Sequence, residues 1–361
     1  MTREEYWDKV TTTAKELSDD REIVFYGYNK FALDALRERG LEITKVFTGN
    51  AGLLQRSDEE FKDYKLLKSG GEWYFVILPN EDSFGPGVKR LRAWGYTEDD
   101  YYPMSASERV RLFSPKKDYS DEYGNEIKCG GVKNVNISFL GHSNKVIVEK
   151  SVQINKSLNI IISSSNNMII IGDGCRFTGD SSRMQISGEG CTEYHIGEGC
   201  RLTSFGADAV TGARLDIGDK TTFENGCRIN LSAYTHVSLG EDCMISTEVI
   251  FQANDGHTIF DTETGSNLNS DMRKLKDNNG FLKETEIGDH VWVGRRTTVL
   301  GGTSIGPGSI VGTMSVVKGS FPNNVIVAGI PARLIKKNRS WSRNNAASDI
   351  VPNTGLHRLT E

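Results

Sequence analysis

The chain is poor in proline, with 8 residues in 361 against 38 glycines. Many turns are therefore expected, without Pro-rich linkers. No apolar run is long enough to span a bilayer. Positive charge is not in excess: 43 basic and 48 acidic residues leave a net charge of −5. A nucleic-acid binder needs a basic surface to displace counterions, so that class is excluded. The opening MTREEYWDKV has acids where a secretion signal needs a basic and then an apolar stretch. The expectation is a cytoplasmic protein without a membrane span. No C-x-x-C pair occurs among the 6 cysteines, which removes a zinc ribbon or a thioredoxin-type site. With 37% hydrophobic and 25% charged residues, the chain can bury a sizeable core. Its length allows two domains.

What is present is a period of six. Ile287, Val293, Val299, Ile305, Val311 and Val317 follow one another at that spacing. Four residues after each stand Val291, Thr297, Thr303, Ser309, Ser315 and Phe321. Such a period fits neither a helix nor a simple strand. It fits a parallel β-helix, in which each short strand adds one inward aliphatic and then turns a corner. The small residue fits the crowded corner, and glycine allows the turn dihedrals. Earlier sets begin at Ile171, Ile196, Ile217 and Leu239, separated by 25, 21 and 22 residues. About seven coils are expected, with the excess over 18 residues placed in corner loops such as Asp180–Arg183 and Tyr234–His236. Cys175, Cys200, Cys227 and Cys243 occupy the small-residue slot, so they read as buried hydrophobes rather than disulfides or ligands. Cys129 and Cys191 fit no pattern.

Before the repeat, apolar strands alternate with helical patterns. Residues 2–19 make an amphipathic helix with Tyr6, Val10, Ala14 and Leu17 on one face. Strands are expected at 23–27, 43–47, 73–78 and 101–102, and helices at 30–39 and 88–94. This implies a small Rossmann-like α/β domain over 1–112. Its first turn, Gly27-Tyr28-Asn29, has one glycine where a dinucleotide fingerprint has three, and the second strand ends Thr48-Gly49-Asn50 without a ribose-binding acid. A polar linker over 113–131 follows. The β-helix is assigned to 132–335 and a C-terminal tail to 336–361, loosely held apart from Trp341.

The rhythm breaks at one place. After Leu239, Ile245 and Phe251 the next slot is residue 257, which is His257 in Asn254-Asp255-Gly256-His257. A polar excursion over 258–286 follows before the rhythm resumes at Ile287. A long excursion from a regular solenoid is usually functional or disordered. A histidine at its base, beside an aspartate, is a candidate proton acceptor.

The stretch IGDHVWVGRRTTVLGGTSIGPGSIVGTMSVVKGSFPNNVIVAGIPARLI resembles the C-terminal end of hexapeptide-repeat acyltransferases, the left-handed β-helix enzymes that use acetyl-CoA. Asp255-Gly256-His257 and the Val-Trp-Val-Gly stretch around Trp292 resemble the branch that O-acetylates sugars and capsular polysaccharides. A small α/β domain before the β-helix is similar to bacterial nucleotide-sugar acetyltransferases. The resemblance implies a homotrimer with sites between neighbouring prisms and direct transfer from acetyl-CoA. In it, His257 is the general base beside Asp255, and Trp292 or a nearby backbone amide is the oxyanion donor. Gly294, Gly312 and Thr313 line the pantetheine arm, and Lys318 and Arg333 meet its phosphates. Imidazole suits the base role because its ordinary pKa lies close to neutral. Zinc carbonic anhydrases share this β-helix, but His142, His195, His236 and His290 show no ligand spacing, so no metal is expected. Two rival readings are an N-acetyltransferase acting on an amino nucleotide-sugar and a non-enzymatic glycan-binding solenoid.

Overall fold

The computed structural model describes residues 3–18, 21–26, 30–48, 61–63, 73–77, 91, 94, 96, 101–103, 110–188, 190–253, 255–269, 280–345 and 350. The Gly27–Asn29 turn, Gly49, Asn50, most of the helix expected at 88–94, Asn254 and the loop residues 270–279 lie outside them.

Among the described residues the N-terminal part forms a five-stranded parallel sheet in the order Phe61–Asp63, Val46–Thr48, Glu22–Tyr26, Trp73–Ile77, Tyr101–Pro103. Four of these strands match the expected positions to within a few residues. Phe61–Asp63 was not expected, because Phe-Lys-Asp carries no strand pattern. Helix Arg3–Ser18 buries Tyr6, Trp7, Val10 and Ala14, whereas Leu17, expected on that face, is 52% exposed. The buried stripe advances through Thr11 and Ser18 instead. This helix meets the solenoid at His142: the Tyr6 ring stacks on the imidazole at 5.2 Å, and Trp7 meets it edge-on at 5.7 Å.

The rest is a left-handed parallel β-helix with three flat faces. The first face runs from Glu126–Lys128 through Arg214–Ile217, Thr235–Leu239 and Lys283–Ile287 to Ser320–Phe321. The second runs from Gln153–Ile154 through Trp292–Val293 to Val325–Gly329, and Ala332–Lys337 closes it antiparallel. The third includes Ser157–Ser163, Ile250–Gln252 and Val316–Val317. Among the described residues seven coils carry a strand on all three faces. Inward residues stack in register: Ile217, Leu239, Ile287 and Ile305 on the first face, Phe223, Ile245, Val293 and Val311 on the second, Ile229, Phe251, Val299 and Val317 on the third. Each is at most 3% exposed. The core is thus a column of aliphatics and phenylalanines packed coil on coil, the burial that drives folding.

The corner slot has a chemical reason beyond size. The thiols of Cys175, Cys200, Cys227 and Cys243 are fully buried and donate to the carbonyls of Gly197, Gly218, Ser246 and Gly288 at 3.0–3.2 Å. The hydroxyls of Thr221, Thr297 and Ser309 do the same to Gly240, Gly312 and Pro322. The slot favours a small side chain that can satisfy a turn carbonyl of the next coil. Burial pushes the Cys243 thiol up to about 12, so it stays a neutral donor.

Several expectations need correction. Phe321 is not a corner residue: the last coil is shorter, so Phe321 pairs with Ile305 and continues the inward row. The residues in excess of 18 per coil sit only in part in the expected corners: Tyr234 is in a turn, but Thr235 and His236 are in a strand. Others lengthen third-face strands such as Ser157–Ser163 and Ser181–Ile186. Residues 113–131, read as a linker, contain the antiparallel pair Tyr119–Ser120 and Glu126–Lys128, which caps the first coil. Ile127 and Cys129 are 0% and 1% exposed because they fill that coil's interior.

Candidate active site

The third-face strand Ile250–Gln252 ends at Ala253, which is 1% exposed. The next coil should continue onto the first face, but the chain leaves the prism at that corner. Gly256 has φ +74°, and a Cβ there would meet nothing within 4 Å, so backbone handedness rather than crowding calls for glycine. The outgoing limb then forms a small hairpin. Phe260 bridges Asn267, and the Leu268 amide donates to the Ile259 carbonyl at 2.9 Å. The Asp261 carboxylate caps its tip by accepting from the Glu263 and Thr264 amides.

The returning limb is tied down at three points. The Leu282 amide donates to the Tyr234 carbonyl at 2.7 Å, and the Phe281 ring lies 4.9 Å from the His236 imidazole. Lys283, first residue of the strand that resumes the first face, forms an ion pair with Asp255. The two limbs are therefore pinched together at the neck.

His257 sits just outside this neck with an exposed side chain. Of the five histidines in the described residues, His195, His236 and His290 direct ring nitrogens at carboxylates, and His142 is stacked and buried. Among the described residues the His257 ring has no such partner. Its backbone is fixed: the His257 carbonyl accepts from Asn269 Nδ2 at 2.9 Å. The Lys283 hydrogen bond and that of Asn269, with the charges of Lys283 and Lys318, hold the Asp255 carboxyl below its usual range against a partial desolvation. Lys318 donates to the Gly301 carbonyl, and desolvation and the nearby Lys283 lower its pKa.

The residues singled out in the sequence fall into separate groups. Asp255, His257 and Lys318 share the corner between the third and first faces. Trp292 stands on the second face, opposite that corner in the same prism, and its indole N–H is donated to Ser246 Oγ at 3.2 Å. The Gly294 and Gly312 amides are already used, donating to the Val311 and Val327 carbonyls at 2.8 Å. What these glycines supply is closeness, since a Cβ on Gly294 would lie 2.6 Å from the Thr313 nitrogen. Thr313 is exposed beside them. Arg333 is exposed on the closing hairpin, with Nη1 donating to the Ala332 carbonyl.

Two arrangements went unread, and the hold on the tail extends beyond the expected docking of Trp341. Asn269 and Lys283 hold the loop, and no periodicity marks either. On the outer side of the first face, Asp216 accepts from His236 Nε2 at 2.7 Å and Arg214 Nε at 2.8 Å, with His195 Nδ1 3.2 Å away. Burial raises the Asp216 pKa, but these hydrogen bonds outweigh it and hold the carboxyl far down. The tail is docked: Trp341 stacks on His290 at 4.1 Å, and Arg343 reaches Asp242 at 2.6 Å. Among the described residues no group of three His, Cys, Asp or Glu is placed to hold a metal ion.

The described residues thus make a parallel prism of six-residue steps with an exposed histidine at the neck of a loop. Residues 284–319 match the model of the bacterial transferase hexapeptide family, six repeats. Over 151 residues the chain is 34% identical to the WbbJ protein of Escherichia coli K12, whose name describes an O-acetyl transferase of lipopolysaccharide biosynthesis. That match covers 40% of this chain and 68% of the relative. It is 31% identical to the polysialic acid O-acetyltransferase of Escherichia coli O1:K1 over 38% of this chain, spanning 41% of that relative's length. The crystal structure of the polysialic acid O-acetyltransferase OatWY aligns with 57% of this chain and 90% of its own, at 27% identity and a TM-score of 0.49. The chain belongs to the hexapeptide-repeat acyltransferase family.

Proposed function

We propose that the protein is an acetyl-CoA-dependent O-acetyltransferase acting on a sugar hydroxyl of a glycan, with His257 as general base. The observation that carries this is the exposed imidazole of His257, which faces no carboxylate among the described residues, on a backbone fixed by Asn269. The ring takes the proton of the acceptor hydroxyl as its oxygen attacks the thioester carbonyl. The tetrahedral intermediate then collapses, the carbon–sulfur bond breaks, and the proton passes to the departing CoA sulfur. A base so placed contributes about 10²–10⁴-fold in rate. The lipopolysaccharide and polysialic acid relatives support a polysaccharide acceptor.

Trp292 cannot serve the His257 of its own prism, because it lies on the opposite face. In a closed threefold assembly, one protomer's second face can approach its neighbour's loop corner, and the oxyanion role of Trp292 belongs to that arrangement. Lys318, at the loop corner, and Arg333, on the closing hairpin, are the cations offered to the CoA phosphates.

The test is release of CoA thiol from acetyl-CoA in the presence of polysialic acid and of lipopolysaccharide-derived glycans. The reading expects turnover with at least one of them and its loss in His257→Ala. Unchanged turnover in that variant would sink it.

A further inference from the structure

We infer that Asn269 is a positioning residue for His257: its single carboxamide bonds to the backbone of residues 257 and 259 and to the Asp255 carboxylate that precedes them. Nδ2 donates to Asp255 Oδ2 at 2.9 Å and to the His257 carbonyl at 2.9 Å. Oδ1 accepts from the Ile259 amide at 2.8 Å. One side chain thus bonds to residues 255, 257 and 259, every second residue of the limb that carries the imidazole. The orientation of the amide is unambiguous, because the nitrogen faces a carboxylate and a carbonyl while the oxygen faces an N–H.

The clamp compensates for a specific weakness. Gly256, with φ +74°, lies between Asp255 and His257 and has no side-chain contact to hold it. A glycine there leaves the following residue free to swing. The Asp255–Lys283 pair fixes the limb on one side of Gly256 only. Asn269 ties the far side to the near side, so the Cα–Cβ direction of His257 is set relative to the prism. The side chain is half-buried and comes from the base of the hairpin, which gives the hairpin 259–268 a purpose: it turns the chain back so that residue 269 lies under residue 257.

This inference rests on the reading of His257 as the base, and the experiment separates the two. Asn269→Asp keeps the shape but loses both donors and sets a carboxylate against Asp255. Asn269→Ala removes the clamp without adding charge. Both are assayed with acetyl-CoA and polysialic acid. Carbon-13 spectra of the labelled histidine rings are recorded without any acceptor, and the His257 signal is identified by its absence in His257→Ala. The expected result is a fall in kcat of about 10²-fold, the scale of a small misplacement of a catalytic group. KM for acetyl-CoA should stay within about threefold. Melting temperature should be unchanged, and the His257 ring signal should move or broaden while those of His195 and His236 stay. A kcat within twofold of the parent with an unmoved ring signal would overturn the proposal, as would a raised KM at constant kcat. If His257→Ala keeps its rate while Asn269→Asp still moves the ring signal, the base reading has failed and the catalytic claim for Asn269 falls with it.

Discussion

Asp255 on the outgoing limb and Lys283 on the returning limb form the ion pair that closes the loop neck. Their side chains are 32% and 23% exposed, so solvent screens the pair and about 1 kcal/mol is its upper worth. Its effect is local, on the loop rather than on the solenoid. Lys283→Ala should leave the melting temperature within a degree or two of the parent. It should also speed proteolytic cutting between 256 and 282 and reduce turnover.

The same pair makes an acid prediction. Asp255 titrates below its ordinary 3.8, chiefly through the Lys283 hydrogen bond. A depressed carboxyl contributes stability that is fully present above the unfolded value and lost as pH falls through the folded one. Hydrogen exchange of residues 255–269 should therefore reflect a constant neck stability from pH 7 to about 5, after correction for intrinsic rates, and a weakening neck below about 4. In Lys283→Ala that acid step should shrink. A step of full size in the variant would mean that another group holds the loop.

The docked tail gives a stability prediction. Trp341 is 7% exposed, lies 7° from coplanar with His290, and donates its indole N–H to the His290 carbonyl at 2.7 Å. His290 Nε2 faces the Trp341 carbonyl at 2.9 Å, and its Nδ1 faces Asp242 at 2.7 Å. Trp341→Ala leaves those groups and the outer side of Trp292 uncovered. A loss of about 3 kcal/mol is expected, the scale for removing a buried tryptophan, read as a lower urea midpoint. Rapid trimming of the chain after about residue 337 should accompany it. Trimming without any stability change would show that the stack is incidental.

The column of inward aliphatics was legible because a period of six repeats one constraint at every coil: each inward slot must be apolar, and slots 287, 293 and 299 face three different ways. The face of each site residue was legible in the same rhythm. Trp292 precedes the second-face slot 293, whereas His257 follows the third-face slot 251, so their separation follows from counting. The clamp was not legible. Asn269 and Lys283 act through side-chain bonds across a loop, and such bonds leave no period. Leu17 misled because a 16-residue helix presents several faces, and only packing against the sheet selects one. The resemblance set Gly294 and Gly312 beside the pantetheine arm, but that their amides belong to the coil needed coordinates.

Gly294 separates packing from cofactor contact. A Cβ there would come within 2.6 Å of the Thr313 nitrogen and 2.7 Å of the Val311 carbonyl oxygen, both backbone atoms of the next coil. Gly294→Ala should cost about 1–3 kcal/mol, the usual scale of overpacking, seen as a lower melting temperature. If its main duty is coil stacking, KM for acetyl-CoA at a temperature where the variant is folded should change less than about threefold. A large rise in KM with normal stability would return the residue to the pantetheine arm.

The last prediction tests whether two chains build each site. Within one prism, Trp292 and His257 lie on opposite sides, and the indole N–H already has a partner in Ser246. If the site joins one protomer's loop to its neighbour's second face, Trp292→Ala and His257→Ala should each be inactive alone and complement each other when mixed. In trimers assembled at random from equal amounts of the two, a working site needs an intact histidine from one chain and an intact tryptophan from the next. Half the chains carry each, so about one quarter of the sites should work. Unfolding the two variants together and refolding them, with thiol release as the readout, gives that fraction directly. Activity that stays at background in the mixture, with trimers present, would mean that Trp292 takes no part across the boundary. The same background result with monomers only would remove the trimer itself.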